Sequence, residues 1–312
     1  MRPIQLLPFA ALALAAPVAA QQQGAPFTIA ETGEGFRTLA DAVARAGDTR
    51  ATIVIAPGTY RECVVQQAGE ITFKAAWPGS VIFERETCED KAAFVLRGRG
   101  SVVDGIVFRN YAVNDGNGAG IRIEQGDLSV VNAMFLDSQE GILGGNPSGQ
   151  RITIDRSTFS GLGQCETSDC SHSIYLANKG QVTITRSRFE RGTGGHYVKL
   201  RVPDVRITDS SFDDTKGRKT NYMIDLSEGA TGLISRNVFV QGENKENWSG
   251  FIVVAAEGRT YRSAGLTISD NQASLAPGID RSPAFVADLS GDTFRITGNQ
   301  LGPGVREFER RK

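Results

Sequence analysis

The chain has 312 residues, with 34 basic and 35 acidic side chains, 36 glycines and 11 prolines. This length suits one large domain or two small ones. The near-even charge balance argues against a nucleic-acid partner, which requires a clustered basic face. Abundant glycine beside few prolines indicates many short strands and turns.

The first 20 residues combine a basic start at Arg2, an apolar run over Leu6–Ala16 and small residues at 18–20. This pattern predicts a secretory signal peptide over residues 1–20, with the exported chain starting near Gln21. The apolar run is much shorter than the ~20 residues that a membrane span requires. We therefore expect no membrane span, and export to the periplasm or to the outside of the cell.

Export permits disulfide bonds, and the chain has four cysteines. Cys165 and Cys170 would close a small loop just before His172. Metal binding is the competing interpretation of these cysteines, but two histidines and no Cys-x2-Cys pair give it weak support.

An amphipathic helix is predicted over Gly35–Ala46, with Thr38 and Asp41 resembling a capping box at its start. The β-branched residues after Ala51 predict a strand that ends in a turn at Tyr60. A helix followed by such a strand is similar to the opening of a right-handed parallel β-helix. The helix would cap the first coil and shield its strand edges.

A repeat follows. Phenylalanines recur at intervals of 23 to 30 residues, at Phe108, Phe135, Phe159, Phe189, Phe212 and Phe239. Most follow an alternating strand, and small hydrogen-bonding residues lie two positions earlier, at Ser157, Ser187, Ser210 and Asn237. Such a column predicts a tight turn between stacked strands at each phenylalanine. Each repeat then has a loop and a second strand. The pattern predicts an all-β fold, a right-handed parallel β-helix of about nine to ten coils.

We expect one β-helix domain over residues 21–304, because a sandwich would not repeat the same unit in register. The charged residues 305–312 lie outside the pattern and are predicted to be a tail. Cys63 and Cys88 are 25 residues apart, which is within the repeat range. They would lie on neighbouring coils within reach of a disulfide bond.

Alternation along the second strands assigns their faces. If Ile174 and Val198 point into the bore, the next residue of each strand points outward. The predicted outward row is Arg122, Leu143, Tyr175, Lys199, Asp225, Val253 and Val286. At the strand entrance, Glu140, His172 and His196 align in successive coils. Side chains that are merely solvated on an outer face are the alternative interpretation.

Six segments carry a resemblance to known proteins: Tyr60–Cys63, Asp115–Arg122, Glu140–Leu143, Ser171–Tyr175, Gly195–Arg201 and Tyr222–Leu226. Through them the whole mature chain resembles the pectate-lyase-like β-helix superfamily and, more closely, a group of exported β-helix proteins of alphaproteobacteria. By analogy of fold this resemblance implies cutting or modification of acidic polysaccharides. We assign Asp115 and Tyr197, which lie in these segments, to substrate binding.

Two departures from the superfamily bear on mechanism. Calcium-dependent pectate lyases present clustered acidic residues, whereas Asp225, Glu124 and Asp288 fall on separate coils. We therefore predict no metal and no cofactor. Polygalacturonase-like hydrolases need paired aspartates, and the pair Asp213 and Asp214 lies beyond the phenylalanine turn, away from the outward row.

The superfamily's acidic substrates suggest β-elimination. This reaction requires a neutralised uronate carboxylate, removal of the C5 proton and protonation of the leaving oxygen. Arg201, with help from Arg122, could bind the carboxylate bidentately, and Glu140 joins the same surface.

His196 is the preferred base, because Asp225 would favour the charged form of the other candidate, Lys199. Lys199 and Asp225 then form an orienting pair, and Tyr175 or His172 donates the proton to the leaving oxygen. Three alternatives stay open: a scaffold that binds an acidic polysaccharide without cutting it, a C5 epimerase and a glycoside hydrolase.

Overall fold

The structure is a computed structural model that describes residues 24–145, 149–167 and 169–312. The signal peptide predicted over residues 1–20 lies outside the described residues. Within those ranges no helix is long and apolar enough to cross a membrane.

Each complete coil contributes one strand to each of three sheets, and successive coils pair in parallel. Among the described residues the first sheet has twelve strands and the other two have ten each. The prediction of an all-β parallel β-helix is confirmed. The coil has three strands rather than the predicted two, because the segment taken for a turn contains a short strand of its own.

The strands of the first sheet are, in chain order, Phe27–Ile29, Glu34–Phe36, Arg50–Ile55, Glu70–Ala75, Gly100–Asp104, Asp127–Val131, Arg151–Asp155, Gln181–Thr185, Asp204–Thr208, Thr231–Ser235, Thr267–Ser269 and Arg295–Thr297. Those of the second are Gly58–Tyr60, Val81–Glu84, Ile106–Arg109, Met134–Leu136, Thr158–Ser160, Arg188–Glu190, Ser211–Asp213, Val238–Gln241, Gln272–Leu275 and Gln300–Leu301. The third contains Val64–Gln66, Ala92–Leu96, Ala119–Ile123, Glu140–Gly144, Ile174–Ala177, Val198–Arg201, Ile224–Leu226, Gly250–Val254, Ala284–Asp288 and Arg306–Arg310.

The helix at the amino-terminal end runs over Leu39–Ala46, not from Gly35. Its start is set by Thr38, whose extended backbone ends the preceding segment and whose hydroxyl oxygen accepts a hydrogen bond from the Asp41 N–H at 3.1 Å. The residues before Thr38 instead form the strand Glu34–Phe36, which pairs antiparallel with Phe27–Ile29. One face of the helix is buried, as the apolar pattern predicts.

The six phenylalanines of the repeat stack along the interior. From Phe108 to Phe239 the ring centroids of neighbours lie 4.7 to 5.1 Å apart, and the ring planes differ by 10° or less. Each ring belongs to a strand of the second sheet, such as Thr158–Ser160. This stack carries part of the hydrophobic core and places each coil directly over the one before it.

A column of serines and asparagines joins the first sheet to the second, as predicted. The backbone N–H of Ser157 donates to Ser187 Oγ of the next coil at 3.2 Å, and that of Ser187 donates to Ser210 Oγ at 3.1 Å. The column continues through Asn237 and Asn271. A single residue with positive φ precedes each member of the column, at Arg156, Arg186, Asp209, Arg236 and Asp270. This bend is tight enough for a strand to resume at once.

The third sheet keeps the predicted register until its last coils. Ile142 pairs with Ile174, Ile174 with Val198, and Val198 with Ile224. Between the strands Gly250–Val254 and Ala284–Asp288, however, Ile252 pairs with Val286 and not with Phe285. Ala287, not Val286, therefore continues the outward row. The shift arises because the Phe285 ring packs against the rings of Phe251 and Phe239.

Residues 305–312 do not form the predicted tail. Arg306–Arg310 is the last strand of the third sheet and pairs in parallel with Ala284–Asp288. Backbone pairing does not depend on the charge of the side chains, and four of this strand's five residues are exposed. Charges on an edge strand also discourage another chain from pairing with it.

Both predicted disulfide bonds are present. Cys63 and Cys88 lie just before strands of neighbouring coils, with their Cα atoms 5.5 Å apart. Cys165 and Cys170 close the small loop that precedes His172. Since all four cysteines are bonded, none offers a thiolate to a metal.

Candidate active site on the third sheet

A cleft of about 490 Å³ opens on the outward face of the third sheet. Its base is formed by the strands Ile174–Ala177 and Val198–Arg201, and loops that enter and leave the neighbouring strands form its walls. The sequence-predicted residues that line it are Asp115, Glu140, His172, Tyr175, His196, Lys199 and Arg201. Strand alternation accounts for Tyr175, Lys199 and Arg201, because their strands are in register. Asp115, His172 and His196 lie just before strands and are carried by the coils in which they occur.

The two histidines face each other across one coil step. Their ring centroids are 4.9 Å apart, and both side chains are almost completely buried. His172 Nδ1 accepts a hydrogen bond from the backbone N–H of His196 at 3.0 Å and lies 3.3 Å from His196 Nδ1. Burial lowers the pKa of His172 to about 3 and holds the pKa of His196 well below its usual value. Both rings are therefore neutral at physiological pH.

The hydrogen bonds of the pair assign the His196 tautomer. His172 Nδ1 must carry a lone pair, because it accepts the backbone N–H of His196. We assign the proton between the two Nδ1 atoms, which are 3.3 Å apart, to His196. His196 Nε2 is left with a lone pair, which is what a proton acceptor in the cleft requires.

Asp225 lies beneath this pair and is buried. Its Oδ2 lies 3.5 Å from His196 Nε2 and 3.6 Å from Lys199 Nζ, and it accepts a 2.6 Å hydrogen bond from Ser227 Oγ. Oδ1 is buried without a hydrogen-bond partner among the described residues. Burial raises the pKa of Asp225 to about 6, although the nearby Lys199 charge opposes that shift.

Glu140 is the second buried carboxyl group at the cleft. One of its oxygens accepts a hydrogen bond from the His172 backbone N–H, while Oε2 has no partner within the described part of the chain. Burial raises the pKa of Glu140 well above its usual value, which favours its neutral form. A protonated carboxyl group can donate a hydrogen bond to an anionic substrate.

Tyr175, Lys199 and Arg201 form the charged face of the cleft together with Glu257. Arg201 donates hydrogen bonds to the Tyr175 hydroxyl and to Glu257, and Lys199 Nζ donates to the other oxygen of Glu257. The Arg201 guanidinium lies 5.3 Å from the centroid of the Tyr175 ring. Burial raises the pKa of Tyr175, so its phenol stays protonated.

Sequence reasoning missed Glu257, although it makes the most direct contacts to the two cations. It follows the strand Gly250–Val254 and is anchored by its backbone N–H, which donates to Ser227 O at 2.8 Å. The available signal was an acidic residue immediately before a glycine, Gly258. Its side chain reaches back across two coils, which strand alternation does not describe.

Other residues missed from the sequence form the walls of the cleft. Asn117, Thr167 and Asp169 lie on one side, and Asn221 and Glu246 on another. Asn221 Nδ2 donates to Glu246 at 2.8 Å. These side chains come from loops of variable length, so no repeat pattern selects them.

Three predicted substrate-binding residues, Tyr197, Arg122 and Asp225, do not line the cleft. The Tyr197 ring is buried in the core, where its hydroxyl donates to Asp214 at 2.8 Å. The reason is that the strand begins at Val198, so its alternation does not extend back to Tyr197. The nearest carboxylate contact of Arg122 is Glu124, with 3.9 Å between Nε and Oε1.

Comparisons with known proteins agree with the fold. A family model described as right handed beta helix region matches residues 92–300. No curated protein sequence matches this chain.

Several solved structures are similar over most of the chain. An alginate lyase from Paenibacillus sp. str. FPU-7 has 17% identity and a TM-score of 0.63, covering 87% of this chain and 94% of that one. The PL6 family alginate lyase AlyGC has 19% identity and a TM-score of 0.51, covering 84% of this chain and 38% of that one. The pectin methylesterase from Aspergillus niger has 14% identity and a TM-score of 0.52, covering 89% of this chain and 88% of that one. At these identities the likeness establishes the fold alone.

Proposed function

The chain belongs to the right-handed β-helix family, and on that premise we propose that it cleaves a uronate-containing polysaccharide by β-elimination. The observation that carries this proposal is the carboxylate of Glu257, bound by Lys199 and Arg201 beside the Tyr175 hydroxyl. A uronate carboxylate has the same charge and geometry as that group. The cleft therefore has the donors that would neutralise a uronate, the first requirement of the reaction.

Two further observations support a polysaccharide substrate outside the cytosol. The structural neighbours include proteins named for alginate and for pectin. The two disulfide bonds suit an oxidising compartment, which agrees with export to the periplasm or the exterior.

His196 is the proposed base. Its neutral ring carries a lone pair on Nε2, and this atom takes the C5 proton while the C–H electrons form the C4–C5 double bond. The imidazolium that results lies 3.5 Å from Asp225 Oδ2. A negative Asp225 stabilises this charge, and Lys199 holds the Asp225 carboxylate in place.

Tyr175 is the proposed acid. As the C4–O bond breaks, its phenol donates a proton to the leaving oxygen, and Arg201 stabilises the phenolate. Transfer of the proton from His196 to Tyr175 through solvent restores both groups. The products are one new reducing end and one unsaturated uronate end, so atoms and charges balance without an external reactant.

The test is a panel of uronate polymers, namely alginate, polygalacturonate and glucuronan, followed by the ultraviolet absorbance of the unsaturated product. We expect absorbance to grow with one polymer. His196→Gln should lower kcat about 10²- to 10⁴-fold, the usual contribution of a general base. Tyr175→Phe should also lower kcat, whereas Lys216→Ala, at an exposed position, should leave it unchanged.

Three outcomes would contradict the proposal. Binding of a polymer without any product would indicate a polysaccharide-binding scaffold. Inversion at C5 without chain cleavage, read by NMR, would indicate an epimerase. Cleavage that is insensitive to both His196→Gln and Tyr175→Phe would place the chemistry elsewhere.

A further inference from the structure

We propose that Trp248 and Arg281 form a platform beside the cleft that binds another sugar residue of the same polysaccharide chain. This inference rests on the proposed function and extends it from the reacting sugar to a neighbouring one. The Trp248 side chain remains 41% exposed, and the Arg281 guanidinium lies 5.6 Å from its ring centroid. These two side chains are called the Trp248–Arg281 platform below.

The platform is held in place by its own contacts. The cation–π contact with Arg281 covers the indole with a planar group. The Trp248 backbone carbonyl accepts a hydrogen bond from Gln241 Nε2 at 3.2 Å, and Gln241 is buried. An exposed aromatic ring that is already oriented loses little conformational entropy when a ligand stacks on it.

The platform does not line the cleft itself but lies close to residues that do. Glu246 lines the cleft, and Asn247, the next residue, donates from Nδ2 to the Tyr222 hydroxyl at 2.7 Å. The Tyr222 ring lies 5.7 Å from the ring of His196. Trp248 precedes the strand two coils after the one that follows His196, which corresponds to about 10 Å along the helix axis. A chain that has its reacting sugar at His196 and runs along the helix axis toward the carboxyl-terminal coils would bring its next units to Trp248.

The chemistry of the platform suits a uronate residue. The C–H face of a pyranose ring offers apolar surface that stacks on an indole through dispersion and the hydrophobic effect. The positive charge of Arg281 beside that indole attracts the carboxylate of the same sugar. A neutral sugar would use the stacking alone.

The chain contains two tryptophans, and the second provides a matched control. Trp77 is 59% exposed and lies between the strands Glu70–Ala75 and Val81–Glu84, which belong to the first and second sheets. A sugar bound in the cleft on the third sheet would not reach it. Trp77→Phe therefore leaves Trp248 as the single indole, and Trp248→Phe leaves Trp77.

The experiment titrates both single-tryptophan variants with dimers and hexamers of mannuronate, guluronate and galacturonate, and with a cellulose hexamer as neutral probe. We expect one uronate hexamer to change the fluorescence of the Trp77→Phe variant, with its dimer having a smaller effect. No change is expected in the Trp248→Phe variant. In turnover assays, Trp248→Ala should raise KM for the hexamer about tenfold, which corresponds to about 1.4 kcal/mol, and Trp77→Ala should not.

The failure of this inference and of the proposed function are distinguishable. Hexamer cleavage with normal KM in Trp248→Ala and no change of fluorescence would overturn the platform and leave the lyase intact. A fluorescence change without cleavage would support the platform and contradict the lyase. An equal response to the cellulose hexamer would support stacking but overturn the role of Arg281 in selecting uronates. If no member of the panel changes Trp248 fluorescence, the platform is overturned.

Discussion

Two networks of buried or half-buried charges lie close together, and they differ in how completely their members are satisfied. Asp214 accepts hydrogen bonds from Tyr197 at 2.8 Å, from Thr220 at 2.9 Å and from Lys245 at 2.9 Å, so both of its oxygens are used. Asp225, in contrast, has a buried oxygen without a partner among the described residues. A satisfied network stabilises the coil, whereas an incompletely satisfied one retains capacity for a ligand.

The largest expected effect is the loss of stability when Asp214, the central carboxylate of the satisfied network, is removed. Asp214→Ala leaves Lys245 as an uncompensated charge in the interior and removes the acceptor of Tyr197. We expect the free energy of unfolding to fall by about 3–5 kcal/mol, measured by urea denaturation. The neighbouring Asp213→Ala is the control, because Asp213 is less buried and accepts from Thr215. If Asp214→Ala and Asp213→Ala were equally stable, the Asp214 network would not stabilise the fold as inferred.

The cleft network should respond in activity more than in stability. Lys199→Met removes the cation that lies between Glu257 and Asp225. We expect kcat to fall about 10²- to 10³-fold, as when one preorganised donor to a developing charge is lost, with a much smaller change in Tm. If the variant is inactive only because it unfolds, Lys199 stabilises the fold, as the Asp214 network does, and has no separate role in catalysis.

The raised pKa of Asp225 predicts how the stability of the folded chain changes with pH. Its pKa rises from 3.8 to about 6 on folding, so the folded chain binds a proton more tightly than the unfolded chain. The stabilising contribution of this group is therefore present below pH 3.8 and is lost as pH rises toward about 6, by at most about 1.4 kcal/mol per pH unit.

Asp225→Asn should remove that part of the pH dependence of the unfolding free energy between about pH 4 and 6. Asp280→Asn, which changes an exposed carboxylate, is the control and should retain the wild-type slope. An unchanged slope in Asp225→Asn would mean that Asp225 is as well solvated or paired as an ordinary carboxylate.

The smallest expected effect is on KM and concerns Glu257. Its carboxylate binds the two cations, Lys199 and Arg201, that a uronate would need. Glu257→Gln weakens that internal ion pair, and a substrate carboxylate then competes more easily. We expect KM to fall about threefold to tenfold, the range set by 0.6–1.4 kcal/mol for a half-exposed pair. Glu246→Gln changes a lining carboxylate that bonds Asn221 instead, and it should lack this gain. An increase in KM would show that Glu257 helps to bind substrate.

Much of the candidate site followed from local pattern. The alternation of Ile174 and Tyr175, repeated as Val198 and Lys199, placed the outward row correctly as far as Val253. The same register brought His172 to His196. Tyr197 was assigned to the wrong side, because it precedes the strand Val198–Arg201 and the alternation applies only within the strand.

The sequence by itself determined the parallel β-helix, the register of the third sheet as far as Val253 and the two disulfide bonds, since these depend on the spacing of apolar residues and cysteines along the chain. Only the tertiary structure decided which charges are satisfied. Glu257 meets Arg201 from two coils away, and Asp214 meets Lys245 through loops of unrelated length. The physical reason is that stacking fixes backbone positions every ~4.8 Å, whereas long side chains and irregular loops choose partners by three-dimensional proximity and burial.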